Sequence, residues 1–576
     1  MDIILGECTL TRRRKKLDER TKGGLGVAYT ETLSRIKALD GSRSQLGMQV
    51  LMWVSHAERP LHVDELCHAL GVQESPDLDS QDIPAIATVL ACSLGLVTVE
   101  KSSSTVRLVH YTLQEHLSNN ANFFSTTHST IAEVCLTYLN FPHVRGFPPT
   151  LRSVPSTAPF VEYASCYWGT HARLGTTESV KTLALKLLDG YDKHISSKMM
   201  LLHRVSVEEQ PFDIEDTPIG FTGLHGATYF GCLEITVALL EANKGDVQAT
   251  DLCGNRAIDW ASKGGHAEVA RVLLERGDIN SDTSGREDGS RPLLSAAEGG
   301  HEGVVKLLLE QRDVDPDKPD KQGRAPLSWA SGNGHEGVVK MLLERNDVSP
   351  DKPDLLGLTP LSQASQNGHE GVVRMLLERN DVNPNHRDFS GLTPLSQACH
   401  GGHEEVARML LERNDANPNQ RDRSGLTPLS QACHGGHEGV VRMLLERDDV
   451  NPDAHGWGRI TPLMCASING HEGIVRMLLE RNGVNPNQRA LLRETPLMCA
   501  SMNGHEGIVR MLLERNGVNP KHLTLLGETA LSLASGNEHW GVVRMLMEKN
   551  EANARNWEPW GQKLLRWTSW GPTDAQ

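Results

Sequence analysis

No Cys-x-x-Cys pair, no Gly-Lys dipeptide and no long apolar run occurs in these 576 residues. Eleven cysteines scattered without such pairs suit a reducing compartment. Without Gly-Lys there is no phosphate-binding loop of the form G-x-x-x-x-G-K-[ST], in which backbone amides and a lysine hold the phosphates. Residues 83–99 come nearest to the ~18 apolar residues of a membrane span, but Pro84, Ser93 and Gly95 interrupt them. Residues 1–10 lack a basic start followed by a long apolar core, so no secretory signal is expected. Positive charge is also short: 58 Lys and Arg stand against 73 Asp and Glu, a formal charge of −15. An acidic body argues against nucleic acid as the main partner. The expectation is a soluble intracellular protein, cytoplasmic, with the nucleus open as a second location. The basic run Arg12-Arg13-Arg14-Lys15-Lys16 reads as a nuclear-localisation patch or, more simply, as a solvated helix face.

The chain has a period instead. A Gly-His dipeptide, Glu-His in the last unit, places histidine at 266, 301, 335, 369, 403, 437, 471, 505 and 539, spaced by 35 residues once and then by 34. Residues 426–458 show one unit. Thr427-Pro428 opens a short helix, since a threonine hydroxyl caps a helix and proline is tolerated at its first position. Gly435-Gly436 turns the chain. A second helix follows with Glu438 in its first turn and Arg447 in its last, the order that the helix dipole favours. Val440, Val441, Leu444 and Leu445 form its apolar face, and Glu438–Arg442 and Arg442–Glu446 are spaced as ion pairs. Asn346, Asn380, Asn414, Asn482 and Asn516 recur at its end, where asparagine tolerates a left-handed residue. No unit can bury its apolar face alone, so stacked neighbours must do so.

These units resemble the ankyrin repeat, with its T-P-L-H-x-A signature followed by a Gly-His helix. The matching residues are Thr359-Pro360-Leu361, Thr393-Pro394-Leu395, Thr427-Pro428-Leu429, Thr461-Pro462-Leu463 and Thr495-Pro496-Leu497. The signature histidine is replaced by Ser328, Ser362, Ser396 and Ser430 and by Met464 and Met498, which weakens the usual Thr–His hydrogen bonding. The period is 34 rather than 33, and proline recurs in the loop. About ten units fit, with degenerate first ones at residues 220–243 and 255–277.

Ahead of the repeats, residues 44–118 read as a helix over 46–56, a second from Val63 to Gly71, a third over 83–94, and a hairpin of 96–99 with 105–109. Three helices and a hairpin is the order of a winged helix. The third helix has no lysine or arginine and the stretch before it is acidic, which argues against groove reading. Residues 119–217 read as a helical linker, with 206–219 as an acidic loop, 218–550 as the repeats and 551–576 as a tryptophan-rich tail, a cap or disordered. Residues 1–43 read as an N-terminal remnant. The fold class is mostly α: an ankyrin-repeat solenoid preceded by a winged-helix-like α+β module and a helical linker.

The phrases LMWVSHAERPLHVDELCHALGV, STVRLVHYTLQEHL, HSTIAEVCLTYLNF and FVEYASCYWGTHA resemble fungal NACHT–ankyrin proteins, the NLR-like switch ATPases. The resemblance implies a nucleotide-binding core, a winged helix, a linker and a ligand-sensing array. This chain starts too late for that core, so the expectation is either a gene fragment or a sensor-only protein. His110 matches the winged-helix histidine that in related switches contacts the β-phosphate of bound ADP. Without the core in the chain, it reads instead as a residue closing the strand and packing on the next helix.

Scaffold positions barely vary between units, whereas the loop tips do. In the ankyrin family such tips line the concave ligand surface, which nominates Arg324, Leu355, Leu356, Leu358, Phe389, Leu392, Arg423, Leu426, Trp457, Ile460, Leu491, Leu492, Leu525 and Leu526, with His400 and His434 from the first helices. Two readings stand for the apolar tips: a contact surface, or side chains packing on one another along the array. Cys399-His400-Gly-Gly-His403 and Cys433-His434-Gly-Gly-His437 hold zinc-type ligands, but their Gly-His is scaffold and both cysteines take a small-residue helix position. The function expected is protein binding, as the sensing part of an NLR-like switch. No catalytic constellation, metal, cofactor, membrane, nucleic acid or small-molecule ligand is expected. A hidden ATPase and an autonomous scaffold are the alternatives.

Overall fold

The computed structural model describes residues 24–72, 78–79, 81–118, 124, 126–148, 151, 154–208, 220–276, 282 and 289–553. The basic run at 12–16, the acidic stretch 209–219 and the tail tryptophans lie outside the described residues. The chain divides into two compact units, Met1–Asp315 and Pro316–Gln576.

In the first unit, α1 (Gly24–Lys37) and α2 (Gly41–His56) pack closely, with Leu33, Ile36, Val50, Leu51 and Trp53 buried. Helix α2 begins five residues earlier than its apolar pattern suggests, because Asp40 caps it by accepting from Arg43 N. Gly47 lies against the backbone of α4 (Ile86–Cys92): a Cβ there would sit 2.6 Å from the Cys92 carbonyl oxygen. Between them, α3 (Val63–Gly71) is closed by a capping box of His62 and Glu65. Helix α4 starts three residues later than expected, since Pro84 biases Ile83 towards extended backbone. Strands β1 (Val97–Glu100) and β2 (Thr105–Leu108) pair antiparallel, Val97 opposite Leu108. A bridge from His62 to Thr105 extends the wing.

Helices α5 (Tyr111–Ser118), α6 (Thr127–Leu139) and α7 (Pro142–Arg145) lead into α8 (Val161–Leu174), α9 (Glu178–Leu188) and α10 (Ile195–Glu208). The expected acidic loop thus begins inside a helix. Trp53, Tyr138, Phe160 and Tyr163 join in edge-on and stacked contacts that seal α2 against this linker. The linker then grips the first of three repeat helix pairs. Trp168 meets Phe230 edge-on at 5.0 Å, and a Cβ at Gly169 would fall 2.1 Å from the Phe230 ring.

Among its described residues the second unit holds seven helix pairs, from Pro326–Gly332 with Glu336–Leu343 to Ala530–Gly536 with Trp540–Asn553. Each first helix packs on the first helices of its neighbours, and each second helix on the second helices. Thr359, Thr393, Thr427, Thr461 and Thr495 cap their helices with Pro next, as the Thr-Pro pattern requires. Each such cap contributes about 1 kcal/mol.

Three local expectations fail. The left-handed residue is not the asparagine after the second helix but the glycine before each Gly-His histidine, as at Gly368 (φ +77°), Gly402 (+75°) and Gly436 (+81°). That glycine reverses the chain between first and second helix with no Cβ penalty, and where a left-handed residue does follow the second helix it is again glycine, Gly483 (+94°) and Gly517 (+91°), beside the asparagine. Nor do Glu438–Arg442 and Arg442–Glu446 close ion pairs among the described residues. The arginine that pairs is Arg447, fork to fork with Asp449, while its Nη1 donates to Leu411 O of the preceding repeat. Third, the repeat opening at Gly220 is not degenerate at its signature. Thr222 Oγ1 lies 2.8 Å from His225 Nδ1, and His225 Nε2 donates to Ala249 O and Asn255 O at 3.1 Å.

Candidate functional site

Two devices hold the repeats in register and so position the variable tips. The first is the Gly-His dipeptide. At eight of its positions the histidine Nε2 donates to a main-chain carbonyl of the preceding repeat: His266 to Tyr229 and His301 to Lys263 in the first unit, and His369 to Gly332, His403 to Gln366, His437 to His400, His471 to His434, His505 to Ile468 and His539 to Met502 in the second, at 2.8–3.1 Å. The glycine makes room for the ring: a Cβ at Gly402 would lie 2.3 Å from His437 Nδ1.

The second device is a fork inside five of the fingers. Asp388 Oδ1 accepts from Ser390 N and Leu392 N at 2.8 and 2.9 Å, while its Oδ2 accepts from Gln397 Nε2 at 2.9 Å. Asp354 with Gln363, Asp422 with Gln431, and Asp251 and Asp320 with Trp260 and Trp329 repeat it. Where the aspartate is lost its partner is lost too: Gly456 with Cys465, Ala490 with Cys499, Thr524 with Leu533. Met464, Ala490 and Cys499 then form an apolar cluster with Ile460 and Ile468.

Main-chain hydrogen bonds join successive tips in a ladder. Leu355 N donates to Gln322 O, Phe389 N to Leu356 O, Arg423 N to Ser390 O, Trp457 N to Ser424 O, Leu491 N to Gly458 O and Leu525 N to Leu492 O, at 2.6–3.0 Å. The nominated side chains divide on this frame. Leu358, Leu392, Leu426 and Ile460 are half-buried and pack inward. Leu355, Leu356, Phe389, Leu491, Leu492 and Leu525 are each more than half exposed, and Trp457 and Leu526 reach 78% and 85%. These tips therefore do not bury one another. Arg423 is exposed, whereas Arg324 is tied to Asp320 and lies over the Trp329 ring.

The first helices behind the tips are free of charge. Among the seven of the second unit, from Pro326–Gly332 to Ala530–Gly536, no Asp, Glu, Lys or Arg occurs. Their exposed positions are neutral: Gln366, Asn367, His400, His434, Asn469, Met502 and Asn503. His400 Nδ1 meets Gln431 Oε1 and His434 Nδ1 accepts from Asn469 Nδ2, so neighbouring first helices are cross-linked at this surface. Cys399 and Cys433, the zinc-type candidates, are fully buried, and burial pushes both thiols up. The partner histidines spend Nε2 on the stacking ladder.

His110 lies elsewhere, in the first unit. Its ring is exposed and lies tilted against Tyr111 with centroids 4.5 Å apart, and its Nδ1 accepts from Thr112 N, so it caps α5. A histidine group that sequence reasoning missed, with His171 buried and His56 and His128 half-buried, sits between α2, α6 and α8. His128 Nδ1 is 2.9 Å from His171 Nδ1, and His171 Nε2 is 3.0 Å from Tyr163 Oη. Burial, with the charges of His128 and His56 behind it, pulls His171 down to about 3. These histidines are spread over three helices, so no spacing marked them as a group.

Comparison with known proteins separates the winged helix from the repeats. Residues 278–354, 345–422, 414–490 and 482–556 match the family model described as ankyrin repeats (3 copies). Residues 224–274 match ankyrin repeats (many copies), and residues 36–131 match the GPI inositol-deacylase, winged helix domain. A curated relative, azaphilone pigments biosynthesis cluster protein L of Monascus ruber, is 26% identical over 268 residues, 40% of this chain and 54% of the relative. The chain thus spans about half the length of that relative. The crystal structure of the human ASB11 ankyrin repeat domain is 27% identical, with a TM-score of 0.36, and covers 39% of this chain and 98% of that one. The two ankyrin matches together take in more than half of the chain, which is an ankyrin-repeat protein with a winged-helix domain ahead of its repeats.

Proposed function

We propose that the finger and first-helix side of the second unit binds a protein partner, and that the chain is the recognition part of an NLR-like switch. One observation carries the first half: a row of apolar tips, aligned by a main-chain ladder, stands exposed beside first helices without a single charge. The first helices present no Asp, Glu, Lys or Arg to strip of water, and aromatic side chains such as Trp457 and Phe389 are enriched at the cores of protein interfaces. The second half rests on the winged helix and on the linker's tight grip on the first repeat pair, within one unit. That arrangement suits a sensor coupled to a docking module. The protein is then a non-catalytic, intracellular binding module. His110, already committed to a helix cap, keeps an exposed ring that a nucleotide-binding domain supplied in trans could use.

Photo-crosslinking residues installed at 457, 491 and 526, against controls at 442 and 476 on the second helices, test the first half. A partner captured only from the tips supports it. The partner's affinity for the purified chain should then fall at least tenfold in the combined Trp457→Ala, Leu491→Ala, Leu526→Ala variant and stay unchanged in Arg442→Ala. Capture only from the second helices would contradict it. Calorimetry with magnesium and ATP or ADP separates the alternatives, since binding by the chain alone would favour a hidden nucleotide site.

A further inference from the structure

Two fingers of the second unit break a local rule. Each finger is a hairpin with a three-residue loop whose last residue is left-handed, a position that glycine normally fills. Gly357, Gly391, Gly425 and Gly527 do so at φ +74° to +80°. In the two fingers between, the same position holds Arg459 (φ +59°) and Arg493 (φ +64°). A non-glycine residue there is strained, and strain of this kind gathers at functional sites. Glu538 is also left-handed, but it precedes the last Gly-His-type histidine, so no ring of a following repeat needs the space. No packing need of that kind accounts for the arginines. Both are exposed, and neither has a carboxylate partner among the described residues.

Their surroundings are specific. Trp457 shares the finger of Arg459, and Leu491 and Leu492 share that of Arg493. Arg423 occupies the tip just before them, and the three tips are joined by Trp457 N to Ser424 O and Leu491 N to Gly458 O. The aspartates that would offset positive charge here are missing from these two fingers, at Gly456 and Ala490, and in the Arg423 finger Asp422 is turned into its own loop. A protein of net charge −15 thus presents outward-pointing guanidinium groups between apolar anchors.

We infer that these three fingers form the specificity centre of the binding face, and that their ligand is an acidic amphipathic polypeptide segment. Its carboxylates pair with Arg423, Arg459 and Arg493, and its apolar side chains rest on Trp457, Leu491 and Leu492. Guanidinium pairs with carboxylate fork to fork, and apolar anchors between the charges favour a polypeptide over a nucleic acid. This inference rests on the protein-binding reading and names the chemistry of its partner.

The test is selection of random linear peptides by display on the full chain, followed by titration of the selected peptides. Three variants are compared with the parent: Arg459→Gly with Arg493→Gly, Trp457→Ala with Leu491→Ala, and Arg442→Ala as the outer control. The expected result is enrichment of Asp and Glu around aromatic or aliphatic residues. Affinity should drop at least tenfold in the first variant and the second, and not in the third. Because glycine is the native residue of sister fingers, the first variant should fold at least as well as the parent, which separates lost binding from lost structure. Peptides that need Trp457 and Leu491 but not the arginines would overturn the acidic ligand and leave the protein-binding reading standing. Peptides indifferent to both tip variants would overturn both. Tighter arginine-dependent binding of single-stranded oligonucleotide than of any peptide would overturn the inference in favour of a polyanion.

Discussion

Arg459 and Arg493 show where a residue is set by something other than its fold. Replacing either by glycine removes left-handed strain of about 1–2 kcal/mol and adds unfolded-chain entropy worth about 0.5–1 kcal/mol. The balance favours the variant by up to about 1.5 kcal/mol, so the urea midpoint should rise with its slope unchanged. Asp388 is the opposite case, fully committed to structure. Asp388→Ala strips a partner from two finger amides and Gln397, and should cost about 2 kcal/mol. Adding Gln397→Cys copies the Ala490 and Cys499 pairing, and the double variant should lose about 1 kcal/mol less than the sum of the singles. Thr-Pro caps and glycine turns were legible in the sequence because one residue's backbone chemistry decides them. The asparagines misled because tolerance of a left-handed conformation is not a need for it. His225 escaped because its repeat lacks the proline, although Thr222-x-x-His225 carried the signal.

At the scale of the element, the stacking of repeats depends on one dipeptide. Gly402→Ala would drive a Cβ to 2.3 Å from His437 Nδ1 at φ +75° and should cost about 2–4 kcal/mol. Gly483→Ala is its control: φ is +94°, but no atom lies within 4 Å of the new Cβ. That change should cost about 1–2 kcal/mol, and thermal melts by circular dichroism would separate the two. Helices and the hairpin were legible from periodicity, the strands to within a residue at most ends. Helix starts were less so: α2 begins early because Asp40 caps it, and α4 late because Pro84 precedes it. The exposed tips were legible as variable positions, but whether they pack together is decided by the ladder's geometry, which no single repeat encodes.

For the molecule as a whole, the chain's division at Asp315 was not legible, because the period of the repeats runs through it. Compactness follows contacts that the linker makes with the first repeats, through Gly169, Trp168 and Phe230. The two units should also differ in their response to acid. His171, held down to about 3, and His194, held down to about 4, are buried and neutral in the first unit. Once unfolded, both rings take up protons below about pH 6.5. The unfolded chain therefore gains protons that the folded chain refuses. Stability of this unit should be level above that pH and fall as pH drops towards 4, by about 2 kcal/mol per ring at pH 5. Hydrogen exchange in α6 and α8, corrected for intrinsic rates, should speed up accordingly between pH 7 and pH 5. The measurement that bears most directly on the central claim is the exchange footprint of the crosslinked partner, once purified, on the full chain. Protection confined to the fingers and first helices of the second unit, strongest around Trp457 and Leu491, is the expected result. Protection on the second helices or on the winged helix, with the fingers unchanged, would contradict the account.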